Sequence, residues 1–99
     1  MPAESVTVSL LWWKLDSAAD MLDALTELFE SSGCRGTVGV YAVSPEVNAP
    51  MEWRLQFSRP DSDVATVAAI GDVVTAVGPV IEVLSLDAFT ERYPGVTVS

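Results

Sequence analysis

The sequence predicts an α+β fold in which a four-stranded antiparallel sheet carries two helices on one face, followed by a short C-terminal helix. Two segments, 18–32 and 64–77, have apolar residues at helical spacing. Four further segments alternate in polarity or are rich in β-branched and aromatic residues: 5–15, 35–43, 51–58 and 80–86. A chain of 99 residues is expected to form one domain over residues 1–99.

The first predicted strand, residues 5–15, has apolar side chains on both of its faces. Such a strand is typical of the middle of a sheet. Since side chains alternate between the faces of a strand, Trp12 is expected to pack against the helices and Trp13 to lie on the uncovered face.

The first helix, residues 18–32, is the most clearly signalled element. Asp16 and Ser17 suit the N-terminal cap, and Asp20 stands where a capping box has its acidic residue. Gly33 is the expected left-handed residue that ends the helix. Its predicted apolar face comprises Ala18, Met21, Leu22, Leu25, Leu28 and Phe29.

The middle of the chain predicts a β-hairpin. Segments 35–43 and 51–58 are joined by a loop over 44–50 that contains two prolines. In the second strand, alternate residues are expected to face inward: Met51, Trp53, Leu55 and Phe57.

The C-terminal third predicts a second helix, a strand and a short helix. The segment 64–77 has helical spacing, but Gly71 and many β-branched residues lower its helix propensity, so packing has to hold it. The strand 80–86 follows, then a short helix over 88–93 capped by Asp87.

The element order β-α-β-β-α-β resembles the ferredoxin-like sandwich, whose right-handed crossovers give the strand order 4-1-3-2. This arrangement places the first strand at the centre of the sheet. The resemblance concerns the fold and implies no function.

Composition disfavours several classes of function. The chain has no histidine and one cysteine, Cys34, and it contains no nucleotide-binding, cofactor-binding or metal-binding motif. We therefore expect no catalytic residue, no cofactor and no metal site, and no enzymatic activity. The net charge of −9 disfavours direct binding to nucleic acid or to an anionic membrane. Short apolar runs and the absence of a recognisable targeting signal favour a cytoplasmic protein.

Two surfaces are candidates for binding a partner. The first is the sheet face left uncovered by the helices, where five residues are expected to lie together: Leu11, Trp13, Tyr41, Arg54 and Gln56. A surface this apolar is expected to be covered by a second copy of the chain, by the C-terminal helix, or by another protein or ligand.

The second candidate surface is an acidic stripe on the first helix, formed by Asp16, Asp20, Asp23, Glu27 and Glu30. No basic residue separates these side chains, so neighbouring pairs repel one another. The stripe either keeps the protein in solution or docks a basic partner.

These features predict a non-enzymatic protein-interaction module, in its most specific form an acidic inhibitor or regulator of a basic or DNA-handling protein. Small acidic proteins of virus–host conflict and of toxin neutralisation share this general character. The alternatives are a homodimeric regulatory domain that binds a small ligand and a cofactor-free enzyme of the ferredoxin-like class.

Overall fold

The computed structural model describes residues 10–78 and 80–96. Within them the chain forms eight elements: β1 (Leu10–Lys14), α1 (Ala18–Ser32), β2 (Arg35–Ala42), β3 (Met51–Ser58), β4 (Thr66–Ala69), β5 (Val73–Val77), β6 (Val80–Leu84) and α2 (Leu86–Arg92). The strands form two antiparallel sheets, a first sheet in the order β1-β5-β6 and a second sheet in the order β2-β3-β4. The α+β class is confirmed, whereas the single four-stranded ferredoxin-like sheet is wrong.

Helix α1 begins and ends where its local sequence predicts. The Ser17 hydroxyl accepts a hydrogen bond from the backbone N–H of Asp20, and the Asp20 carboxylate accepts one from the N–H of Asp16. Gly33 ends the helix with a φ of 71°. Because these caps satisfy backbone groups that the helix itself leaves unpaired, the boundaries depend on neighbouring residues only.

The buried face of α1 is rotated from the predicted one. Met21, Ala24 and Leu28 are buried, whereas Leu22 and Phe29 are more than half exposed. The helix contacts the two sheets along a narrower strip than the apolar pattern indicates, which leaves one edge of that pattern in solvent.

The predicted second helix is wrong, because residues 66–77 contain the two strands β4 and β5. The branched Cβ of valine and threonine restricts the χ1 torsion in a helix, whereas the same side chains pack well in strands. In this segment strand propensity therefore prevails over the helical spacing of the apolar residues. The turn between the strands uses Gly71 with a φ of 95°, a conformation that a helix excludes. The Asp72 carboxylate supports this turn by accepting a hydrogen bond from the N–H of Ala69 at 2.9 Å.

Strand β5 occupies the central position that the sequence predicted for the first strand. It lies between β1 and β6, and its residues 73–76 are buried on both faces. Strand β1 lies at one end of this order, and Leu15 continues its pairing through hydrogen bonds with Gly71 and Asp72. Residues 5–9 of the predicted first strand lie outside the described residues.

The predicted hairpin is confirmed. Strands β2 and β3 pair along their whole length, from Arg35 opposite Ser58 to Ala42 opposite Met51. The connecting loop is closed by a hydrogen bond from the N–H of Val43 to the carbonyl of Pro50. Strand β4 pairs with the other side of β3.

The main core lies between α1 and both sheets. In the second sheet, Val38, Leu55 and Ala68 stand opposite one another and face it. In the first sheet, Trp13 on β1 and Val74, its pairing partner on β5, also face this core. Both sheets therefore bury one face against the same helix.

The short helix α2 covers the other face of the first sheet. Phe89 is fully buried there, with its ring centroid 5.3 Å from that of Trp12 and 5.3 Å from that of Tyr93. Its N-cap is Ser85 rather than the predicted Asp87. The expected orientation of Trp13 towards an uncovered face is thus wrong: a helix lies on each face of this sheet, and Trp13 faces α1 while Trp12 faces α2.

Candidate functional site

The predicted sheet surface is divided between the two sheets. Tyr41, Arg54 and Gln56 lie on one face of the second sheet. Tyr41 pairs with Glu52 on β3, and Arg54 and Gln56 follow Glu52 at alternate positions of that strand. Leu11 and Trp13 belong to the first sheet. The indole Nε1 of Trp13 donates a hydrogen bond to the carboxylate of Glu27 on α1. The five residues therefore form no common surface, because their strands are not neighbours.

The outer face of the second sheet carries a charged cluster instead of an apolar patch. The guanidinium of Arg54 lies 5.7 Å from the ring centroid of Tyr41, within cation–π range, and its Nε lies 3.2 Å from a carboxylate oxygen of Glu52. The Arg54 charge is thus shared by two partners within the chain. Gln56 and Val67 extend this face as exposed side chains.

The apolar surface lies at the end of the β2–β3 hairpin. We define the hairpin-end surface by four large apolar side chains that are between 43% and 89% exposed: Val40, Val47, Met51 and Trp53. Val40 stands directly opposite Trp53 in the ladder, and Met51 lies two residues from Trp53 on the same face. Val47 is the most exposed of them and occupies the loop.

Met51 and Trp53 correct a second prediction, because they share the inward face of β3 with Leu55 and Phe57 but are 59% and 43% exposed. The main core includes Leu55 and Phe57 and ends there. Strand alternation predicts which face a residue is on, whereas the extent of the covering layer decides whether that face is buried. A sequence signal was available at Val47, an apolar residue inside a proline-bounded loop.

The acidic stripe of α1 is partly engaged within the chain. Asp16 lies 3.1 Å from the Lys14 ammonium, Asp20 accepts the backbone hydrogen bond at the helix start, and Glu27 accepts from Trp13. Asp23 and Glu30 are exposed and make no hydrogen bond or ion pair with the described residues. The structure thus divides the stripe into three carboxylates with a partner inside the chain and two without one among the described residues.

A cleft lies at the opposite end of the hairpin, where α1 ends and β2 begins. Its volume is about 610 Å³, and it is lined by Phe29, Gly33, Arg35, Ser58, Arg59, Pro60 and Ser62. A second recess of about 300 Å³ shares Phe29 and Arg35 with it and is otherwise lined by Leu25, Thr26, Cys34 and Gly36. The antiparallel pairing of Arg35 with Ser58 brings two of the chain's five basic residues together here.

Cys34 lies at the inner wall of this region and is fully buried. Burial raises the pKa of its thiol, the nearby Arg59 guanidinium opposes that rise by favouring the thiolate, and Asp61 adds to it. A protonated, enclosed thiol is a poor nucleophile, so Cys34 serves as a packing residue.

The described ranges 10–78 and 80–96 contain no cluster of three or more side chains suited to hold a metal ion. Neither helix in those ranges is long and apolar enough to cross a membrane. Comparisons with protein-family models, with curated proteins and with solved structures found no match.

Proposed function

We propose that this protein is a non-enzymatic protein-interaction module that binds a partner protein through the hairpin-end surface. The observation that carries the proposal is the exposure of four large apolar side chains at one end of the β2–β3 hairpin, with Val40 paired directly against Trp53. The partner contact is therefore expected to centre on this pair.

The size of the surface supports this function. The exposed parts of these four side chains amount to apolar area on the order of 400 Å², similar to the largest patches on monomeric proteins, which are often functional. A standard interface buries about 800 Å² on each partner, so this surface would supply the apolar centre of an interface with a polar rim. Tryptophan, the residue at position 53, is one of the residue types enriched at the binding hot spots of such interfaces.

Charge favours a basic partner over a second copy of the chain. The protein carries a net charge of −9, and two copies repel one another at close range. Asp23 and Glu30 face solvent on α1 and add to this negative field. A partner with a basic rim around an apolar site, such as an enzyme or a DNA-binding protein held inactive by this chain, gains from the complementary charge.

Two matched valine substitutions test the proposal. Val40 on β2 and Val67 on β4 are 45% and 49% exposed, lie on outer strands of the same sheet, and face opposite sides of it. We expect Val40→Asp to weaken partner binding and Val67→Asp to leave it unchanged. Partners captured by the wild-type protein from its native cells would be purified and titrated against both variants, at low and high salt.

The expected result is a purified partner whose affinity falls at least about tenfold with Val40→Asp and also falls with added salt. Equal losses with Val40→Asp and Val67→Asp would contradict the assigned surface. Self-association that depends on Val40, measured by light scattering of the purified protein, would replace the basic partner with a second copy.

A further inference from the structure

We infer that the cleft where α1 ends and β2 begins is a binding site for a small amphipathic carboxylate, a molecule with one anionic group and a compact apolar body. This site lies at the opposite end of the hairpin from the hairpin-end surface and is independent of the proposed protein contact. Its two parts have different chemistry, and the ligand class follows from their combination.

The anionic group is recognised by Arg35 and Arg59. Both line the cleft, together with Ser58 and Ser62. Within the described part of the chain, Arg35 has no ion pair, whereas Lys14, Arg54 and Arg92 each lie close to a carboxylate. The Arg35 side chain is exposed, and its planar guanidinium donors match a carboxylate in a two-point contact.

The second arginine is only loosely held. The Nε of Arg59 lies 3.7 Å from an Asp61 carboxylate oxygen, and the two side chains are 44% and 75% exposed. An exposed pair at that distance contributes little stability, so an incoming carboxylate competes for Arg59 at low cost. Asp61 is thus a competitor that weakens the site and provides a direct test.

The apolar body is recognised by the adjoining recess. Phe29 and Arg35 line both cavities, and Leu25 and Gly36 line the recess only. Phe29 is more than half exposed although it lies on the apolar side of α1. An apolar body placed in the recess would cover its ring, and the volume of about 300 Å³ suits a compact group.

Phenylpropionate serves as the probe, with phenylpropionamide as the neutral match and acetate as the anionic group alone. Binding is followed by backbone amide chemical shifts in the full chain, which report both affinity and location. Variants Arg35→Gln, Arg59→Gln and Asp61→Asn test the anionic part. Arg54→Gln is the control, because Arg54 lies on β3 beside Glu52 and away from the cleft.

Phenylpropionate should produce saturable shifts confined to residues 25–36 and 58–62, with a Kd on the order of 1 mM. Phenylpropionamide and acetate should each bind at least about tenfold more weakly, because each lacks one part of the ligand. Arg35→Gln and Arg59→Gln should weaken binding, Asp61→Asn should strengthen it, and Arg54→Gln should leave it unchanged.

Three results would overturn the inference. These are the absence of saturable shifts up to about 20 mM phenylpropionate, equal affinity for the carboxylate and the amide, or equal losses in Arg35→Gln and Arg54→Gln. The comparison of probes uses the wild-type protein, so it decides the question even where a variant folds poorly.

Discussion

Replacing Phe89 by alanine is expected to remove a large part of the protein's stability, although the helix that carries it has only seven residues. Phe89 is 0% exposed and packs between Trp12 and Tyr93. Burial of the ring contributes about 1.5–3 kcal/mol. Each aromatic contact adds about 0.5–1.5 kcal/mol.

These contributions predict a loss of about 3–5 kcal/mol in the free energy of unfolding, the range found for buried phenylalanine to alanine changes. A domain of this size is stable by only about 5–15 kcal/mol, so the variant is expected to unfold at much lower urea concentration. Urea unfolding followed by tryptophan fluorescence and by circular dichroism measures the loss.

Phe29 provides the matched control. It lies on the longer helix α1 but is 55% exposed, so Phe29→Ala should cost less than about 1.5 kcal/mol. If Phe89→Ala costs no more than Phe29→Ala, then α2 does not cover the first sheet in solution, and the assignment of Trp12 to a second packed face would be refuted.

Three further predictions concern the local structure, and each is tested by urea unfolding. Gly36→Ala should cost more than about 2 kcal/mol, because the added Cβ would overlap the backbone of the paired strand β3. Gly39→Ala should cost less, because its Cβ meets only the movable ring of Tyr41. Similar costs for the two variants would refute the close approach at Gly36. Ser17→Ala should lose about 1 kcal/mol by removing the N-cap of α1, and an unchanged midpoint would contradict the cap. The pKa of the Cys34 thiol is raised in the folded state. The buried neutral thiol therefore contributes its full stability below the unfolded pKa of about 8.5. That contribution declines as the pH rises from there through the folded pKa. The wild-type protein should therefore lose more stability than Cys34→Ala between neutral and alkaline pH, and parallel pH curves would exclude the effect.

Local sequence signals predicted the elements whose stabilising contacts are local. Helix α1 has its cap residues and C-terminal glycine within its own segment, and the β2–β3 hairpin pairs neighbouring segments. The two arginines of the cleft were also visible in the sequence. Their proximity follows from hairpin pairing, but their significance depends on a cleft that the sequence does not show.

The segment 64–77 illustrates the limit of periodicity. Its valines and isoleucine recur at helical spacing, but β5 is buried on both faces between β1 and β6. A strand buried on both faces is apolar at nearly every position, so a helical subset can always be found in it. The β-branched composition was the more reliable signal.

The sequence by itself determined the α+β class, helix α1 with its caps, the hairpin and the strongly acidic character of the protein. The tertiary structure alone decided that the strands form two sheets, that α2 covers Trp12, and that Met51 and Trp53 remain exposed. The physical reason is the range of the interactions involved. Caps and alternation act between near neighbours, whereas burial depends on which distant segment lies against each face.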